Sequence, residues 1–369
     1  MAPSVPDRLS EYAGIAWQLG VDAVALVPGP NFTRALGHSF MSHERPFLLV
    51  IPADGAPAAL VPNLELASWE QTGFDGAVFD WRDQNGHADA FAALLDHLRL
   101  SSLAVEGQVM RVFVHHALVA SQPDLRIIDA EAEISGLRMI KTPDEIAALE
   151  RAIDISERAL TRTLETVAPG RTEKQIEQTL IRFLFEEGAD GLAFPPIVAA
   201  GDNSALPHAH ARADYALSPG DALLIDFGAR KDGFAADITR TVFLGHASDE
   251  ARALYETVLQ ANLAALAVTR ASVTAHAIDD AATGVLEASP FADRIRTKTG
   301  HGLGRDVHEA PYVMRGNMAA LPAGTVYTDE PGLYQVGNFG VRIEDDVLIT
   351  QDGCQVLTRF PKDLMVIPC

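Results

Sequence analysis

Over the first third of the chain, short apolar runs alternate with longer stretches whose apolar residues recur at helical spacing. DAVALVPG (22–29), PFLLVIP (46–52), AALVP (58–62), GAVFDW (76–81), LAVEG (103–107) and LRIIDA (125–130) read as strands. DRLSEYAGIAWQLG, NLELASWEQTG and HADAFAALLDHLRL, lying among them, read as helices. This alternation predicts an α/β layer, a sheet with helices packed on its faces. The first strand runs into VPGPNF, which carries two prolines and no GxGxxG, so a nucleotide site is not expected there.

The pattern changes near residue 135, which divides the chain into expected domains of 1–135 and 136–369. Thr142 caps a helix with Pro143 at its first position and Glu145 three residues after the cap, and Ile146, Leu149, Ile153, Leu160, Leu164 and Val167 follow at helical spacing. Pro169-Gly170 ends the run. Thr172 with Gln175 opens a second helix that stops at Gly188, and a third begins after Ser248. Hairpins lie between and after these helices. The second domain therefore reads as α+β, an antiparallel sheet with helices on one side.

Length and composition fit this division. A chain of 369 residues suits two separate cores, and with 48% apolar residues but no long charge-poor run it is expected to be soluble. The opening MAPSVPDRLSEYAG lacks a basic region followed by an apolar one, so a cytoplasmic protein is expected. Cys354 and the terminal Cys369 are the two cysteines, a poor basis for a stapling disulfide. The 29 basic and 50 acidic side chains leave a formal charge of −21, which repels nucleic acid and anionic membranes. Neither is an expected partner.

The acids matter more where they are patterned. In LLIDFGARKDGFAADITRTVFLG (223–245) two β-rich runs flank Asp232-Gly233, a favoured tight-turn dipeptide. With that turn Lys231 faces Phe234, Asp226 faces Thr239, and Asp237 falls on the face of Asp226. The acids either point to solvent or share a site with a cation, since an unpaired buried carboxylate costs several kcal/mol. TDEPGLYQVGNFGVRIEDDVLI (328–349) repeats the arrangement, with Glu330 and Glu344 symmetric about Gly337. Arg342, two residues before Glu344, offers a plain salt bridge as the alternative. HGLGRDVHEAP (301–311) adds His301 and His308 around a glycine-rich loop.

One imidazole with four carboxylates suits hard divalent ions, Mn²⁺ above all, with Co²⁺ or Zn²⁺ as alternatives. Two scattered cysteines cannot form a structural zinc site. Four carboxylates exceed the need of one ion, so a pair of ions about 3.5–4 Å apart is the economical reading, and such a pair is hydrolytic equipment.

IDFGA, ADITRTVF, HGLGRDVHEAP, TDEPGLY and GVRIEDDV, in this order, resemble the pita-bread metallopeptidases: Xaa-Pro dipeptidases (prolidases), aminopeptidase P and, further off, methionine aminopeptidases. The motifs span roughly residues 190–350, and an α/β amino-terminal domain resembles the proline-specific branch and creatinase. The resemblance implies a creatinase/prolidase-like first domain and a pita-bread catalytic domain. It implies that Asp226, Asp237, His301, Glu330 and Glu344 hold two divalent ions, with Asp237 and Glu344 bridging. It makes Glu330 the general base, His308 the partner of the scissile carbonyl and its tetrahedral intermediate, and His208 a substrate contact, with His210 a nearby alternative. A homodimer acting on small peptides with proline second is expected.

Two positions depart from the pattern. Asp329 stands where a hydrophobic residue is usual, and either perturbs neighbouring carboxylates or points outward. Tyr312 follows HEAP where some relatives carry a basic residue. Cleavage of dipeptides calls for a cation on the free carboxylate, and Arg45, in a polar loop with His38 and His43, is the candidate; Arg342 and Tyr312 complete the expected substrate contacts. Aminopeptidase P action on longer peptides is the alternative. A creatinase-like enzyme without metal, or a non-catalytic binding module, would go with an eroded ligand set.

Overall fold

The computed structural model describes residues 4–41 and 43–369. The chain divides into two compact units, Met1–Arg138 and Met139–Cys369.

The first unit is built on one six-stranded sheet. Its strands run in the order Ala77–Trp81, Ala58–Pro62, Leu48–Pro52, Ala23–Leu26, Ser102–Val105, Arg126–Asp129. The Leu48–Pro52 strand is antiparallel to both of its neighbours, and the remaining pairs are parallel. Pleat alternation sorts the side chains between two cores. Val24, Leu26, Leu49, Ile51, Ala59 and Val61 meet Leu9, Tyr12 and Ile15 of the helix Val5–Leu19. Ala23, Ala25, Leu48, Val50, Leu60 and Leu103 meet the helices Ala88–Leu98 and Val112–Ser121 on the other face. Three helices here go beyond the expected ones, among them the short Glu131–Gly136. Pro30–Leu36 uses a proline of VPGPNF as its first residue, and Val112–Ser121 is apolar with no clear amphipathic stripe.

The second unit departs from one sheet with helices on a single side. It has two main sheets, each backed by its own helix pair. The strands Met365–Ile367, Ile238–Leu244, Ala222–Phe227 and Ile197–Ala200 form the first, against the helices Pro143–Leu164 and Glu173–Glu186. The Met365–Ile367 strand joins it in parallel, so this sheet is not purely antiparallel. Glu309–Val313, Gly300–Gly302, Val326–Asp329, Asp345–Ile349 and Cys354–Val356 form the second. The helices Asp249–Val268 and Ala275–Glu287 pack with Tyr327, Val347 and Ile349 from it. The expected caps are formed: Thr142 and Thr172 each accept the N–H of the third helical residue, and Ser248 caps the Asp249–Val268 helix. Ala275–Glu287, capped by Thr274, is an addition to the expected elements. Among the described residues no helix is long and apolar enough to cross a membrane.

Candidate metal centre

The expected register of the first hairpin is observed. Lys231 pairs with Phe234 and Asp226 with Thr239 across Asp232 and Gly233. Their φ values of 52° and 78° are the left-handed ones that a tight hairpin turn requires. Leu223, Ile225 and Phe227 enter the helix-backed core, so alternation turns Asp226 to the opposite face. Asp237, only 4% exposed, sits just before the returning strand with its N–H on Asp346 Oδ2 at 3.3 Å.

The second hairpin is less simple than its symmetry implies. Val326 to Asp329 pair with Leu348 to Asp345, and Gly332 to Tyr334 pair with Arg342 to Gly340, in one continuous register. Between these two ladders the strands part. Glu330 N–H turns to the carbonyl of Thr299 at 2.7 Å, and Glu344 N–H turns to that of Thr239 at 3.1 Å. Glu344 is thereby tied to the strand between Asp237 and Thr241, and Glu330 to the strand that leads into His301.

His301 lies on the short strand Gly300–Gly302, its N–H on Thr328 Oγ1 at 3.1 Å. A carbonyl can only accept, so the 3.2 Å contact from Nδ1 to Gly302 O places the ring proton on Nδ1. Nε2 then presents its lone pair, 3.3 Å from Glu330 Oε1 and 3.7 Å from Asp237 Oδ2. Ligand atoms of Asp237, His301 and Glu344 all lie within 4.8 Å of one another.

Arg342 organises the other side. Its Nη2 bonds Asp226 Oδ2, Nε reaches Thr239 Oγ1 at 3.0 Å, and Nη1 reaches the Tyr334 hydroxyl at 2.8 Å. Thr239 in turn donates to Glu344 Oε2 at 2.5 Å. The salt bridge of Arg342 is therefore with Asp226, and Thr239 stands between it and Glu344. Burial, then the charge of Glu344, pushes Asp237 well above the usual carboxylate range; burial, then Glu330, does the same to Glu344. Burial pushes Glu330 up to about 7 against the pull of Arg342, and burial followed by His308 takes His301 down to about 3.

These residues fit divalent cations. Asp226 Oδ1 is buried without a hydrogen-bond partner, and among the described residues Arg342 is the one cation bonded to the acids. Carboxylate oxygens and one neutral imidazole nitrogen form a hard donor set.

All five residues line one cavity of about 450 Å³, together with His208 and His308. The His308 ring stands edge-on to that of His301, with centroids 4.1 Å apart. Other expected residues lie elsewhere. His210 is outside the lining and offers its carbonyl to Asn203. Tyr312 is the cross-strand partner of His301 but is 37% exposed and does not line the cavity. Arg45, in the first unit, is engaged by Asp83 through Nε at 3.0 Å and Nη2 at 2.8 Å, and also by Glu44. Asp329 does not point outward: it is fully buried opposite Asp345, neither carboxylate oxygen has a hydrogen-bond partner, and burial holds its carboxyl well above the usual range. Two cations that line the cavity, Arg296 and Lys298, were not among the expected contacts, although Lys298 lies only three residues before His301.

Residues 147–351 match Metallopeptidase family M24, and residues 8–140 match the Creatinase/Prolidase N-terminal domain. The chain is 32% identical to the probable dipeptidase PepE of Mycobacterium tuberculosis over 98% of its own length and 96% of that protein. The prolidase from Thermococcus sibiricus superposes with a TM-score of 0.94 at 31% identity, covering 99% of this chain and all of that one (100%). The X-Pro aminopeptidase from Thermotoga maritima gives 0.84 at 31% identity, covering 97% and 99%. With a creatinase-like first unit, a pita-bread second unit and a buried acid and histidine cluster between the latter's strands, the chain belongs to metallopeptidase family M24.

Proposed function

We propose that this enzyme is a Xaa-Pro dipeptidase that works with two divalent ions. The observation that carries the reading is the convergence of Asp226, Asp237, His301, Glu330 and Glu344, with His208 and His308, on one cavity. The names of the Mycobacterium and Thermococcus relatives support it. The five residues would hold the ions, Asp237 and Glu344 being the ones expected to serve both, and Mn²⁺ would suit their oxygen-rich set, with Co²⁺ or Zn²⁺ as alternatives. When bound, such ions make a water acidic and polarise the substrate carbonyl.

The chain's own residues supply the remaining chemistry. Glu330 keeps 17% of its side chain open to the cavity. It takes the proton of the attacking water at a carboxylate oxygen and delivers it to the proline nitrogen, which departs as a secondary amine. Burial lowers the pKa of His308, so at neutral pH its imidazole is uncharged and donates one N–H to the developing oxyanion. His208 contacts the peptide, and Phe194, Ile197, Pro207 and Val307 give the cavity an apolar wall suited to a proline ring. The same reading assigns the amino-terminal unit to substrate access and to a homodimer contact.

Likeness to the X-Pro aminopeptidase of Thermotoga maritima supports a second reading, release of the first residue from longer Xaa-Pro peptides. One assay series separates the two. Dialysis against a chelator should abolish hydrolysis of an Ala-Pro dipeptide, Mn²⁺ or Co²⁺ should restore it, and an Ala-Pro-Ala tripeptide should be a poor substrate. Full activity in metal-free protein would overturn the metal reading, and efficient tripeptide cleavage would favour the second.

A further inference from the structure

Three cations line the cavity, and two are already occupied. Arg342 is held by Asp226, Thr239 and Tyr334. Arg296 gives Nη1 to the carbonyls of Asp293 and Ile295 at 2.6 and 2.8 Å. Lys298 differs from both. Among the described residues it makes no ion pair or hydrogen bond, and its Nζ stands 5.7 Å from the centroid of the Tyr312 ring. An aromatic face holds an ammonium in place without neutralising it. The side chain is partly buried and lines the same cavity as His301, His308 and Glu330, so it lies beside the reacting centre.

A cation placed there without an anionic partner is a receptor for one. In a Xaa-Pro dipeptide the free carboxylate sits on the very residue whose nitrogen is released, so it necessarily enters the cavity with the scissile bond. We propose that Lys298 binds this carboxylate and thereby makes the site prefer dipeptides, an inference that rests on the function proposed above. Tyr312 then acts as a positioning residue: it stays outside the cavity and supports the ammonium from below. The role sought for Arg45 falls to a residue within the catalytic unit itself.

The competing account is that Lys298 only offsets the negative charge of the acid cluster. It predicts an effect on metal binding, not on substrate choice. The test compares kcat/KM for Ala-Pro and for its carboxyl-amidated analogue in metal-loaded wild type, Lys298→Gln and Lys298→Arg, with metal content and thermal midpoint recorded for each. In Lys298→Gln the acid-to-amide ratio should fall about ten- to hundredfold, the scale of a lost charge-assisted hydrogen bond. The change should lie mainly in KM, metal content should be retained, and Lys298→Arg should recover most of the ratio. An unchanged ratio, with or without loss of metal, would overturn the proposal. If the metal-loaded wild type cleaves neither compound, the dipeptidase reading fails and this inference with it; if it cleaves both and the variant keeps the ratio, Lys298 alone is wrongly assigned.

Discussion

At the scale of single residues, the proposed roles separate groups that would hold a cation from groups that would serve the substrate. Asp237 and Glu344 are almost completely buried, each beside other carboxylates, and nothing but a cation or a proton relieves that crowding. His308 stands against His301 but is exposed and open to the cavity. Asp237→Asn and Glu344→Gln should therefore each lose bound metal, measured by elemental analysis after gel filtration, because an amide cannot draw two cations together. His308→Ala should keep its metal and lose about 10²–10³ in kcat, the usual effect of removing an oxyanion donor. A metal-free His308→Ala protein would mean that His308 is a ligand and not an oxyanion partner.

At the scale of elements, the site depends on how closely the short strand Gly300–Gly302 can approach its neighbour. A Cβ built on Gly300 would stand 1.7 Å from the backbone oxygen of Thr328, which cannot give way without shifting the Val326–Asp329 strand that leads to Glu330. Gly284 is the opposite case, an exposed position in the Ala275–Glu287 helix with nothing within 4 Å of a new Cβ. Gly300→Ala should destabilise by more than the ~1–3 kcal/mol typical of overpacking, while Gly284→Ala should stabilise by about 0.5–1 kcal/mol. Urea unfolding of the two variants checks both signs. A well-folded Gly300→Ala protein with normal metal content would show that the strand has slack the geometry denies.

At the scale of the whole molecule, burial of Asp237, Glu330 and Glu344 raises their pKa values and so ties the stability of the metal-free protein to pH. Asp237 and Glu344 lie well above the reference values of 3.8 and 4.5, and Glu330 lies at about 7 against 4.5. A carboxyl whose pKa is raised on folding binds its proton more tightly in the native state. Its contribution is fully present below the unfolded value and is lost as pH rises through the folded one. The thermal midpoint of metal-free protein should thus decline from about pH 4.5 to beyond pH 7 through these groups. Loading with Mn²⁺ should remove most of that decline and release protons, since the ligands must be deprotonated to bind. A metal-free midpoint that rises across the same interval would contradict the raised pKa values of these three carboxyls.

Much of this was legible along the chain. The capped helices at Thr142, Thr172 and Ser248 follow from local rules, because a cap and its partner lie three residues apart. So does the pairing of Asp226 with Thr239, since a two-residue turn dictates register by itself. The symmetry of Glu330 and Glu344 was visible too, but not that the strands part there and bind different neighbours, for that requires the positions of Thr239 and Thr299. Nor could spacing reveal that Arg342 pairs with Asp226 and not with Glu344, two residues away, or that Arg45 is met by Asp83. Asp329 and Lys298 make the same point from opposite sides. Strand alternation tells that neighbouring residues face opposite ways, but only the layers packed on each face decide which way is buried and which opens into the cavity.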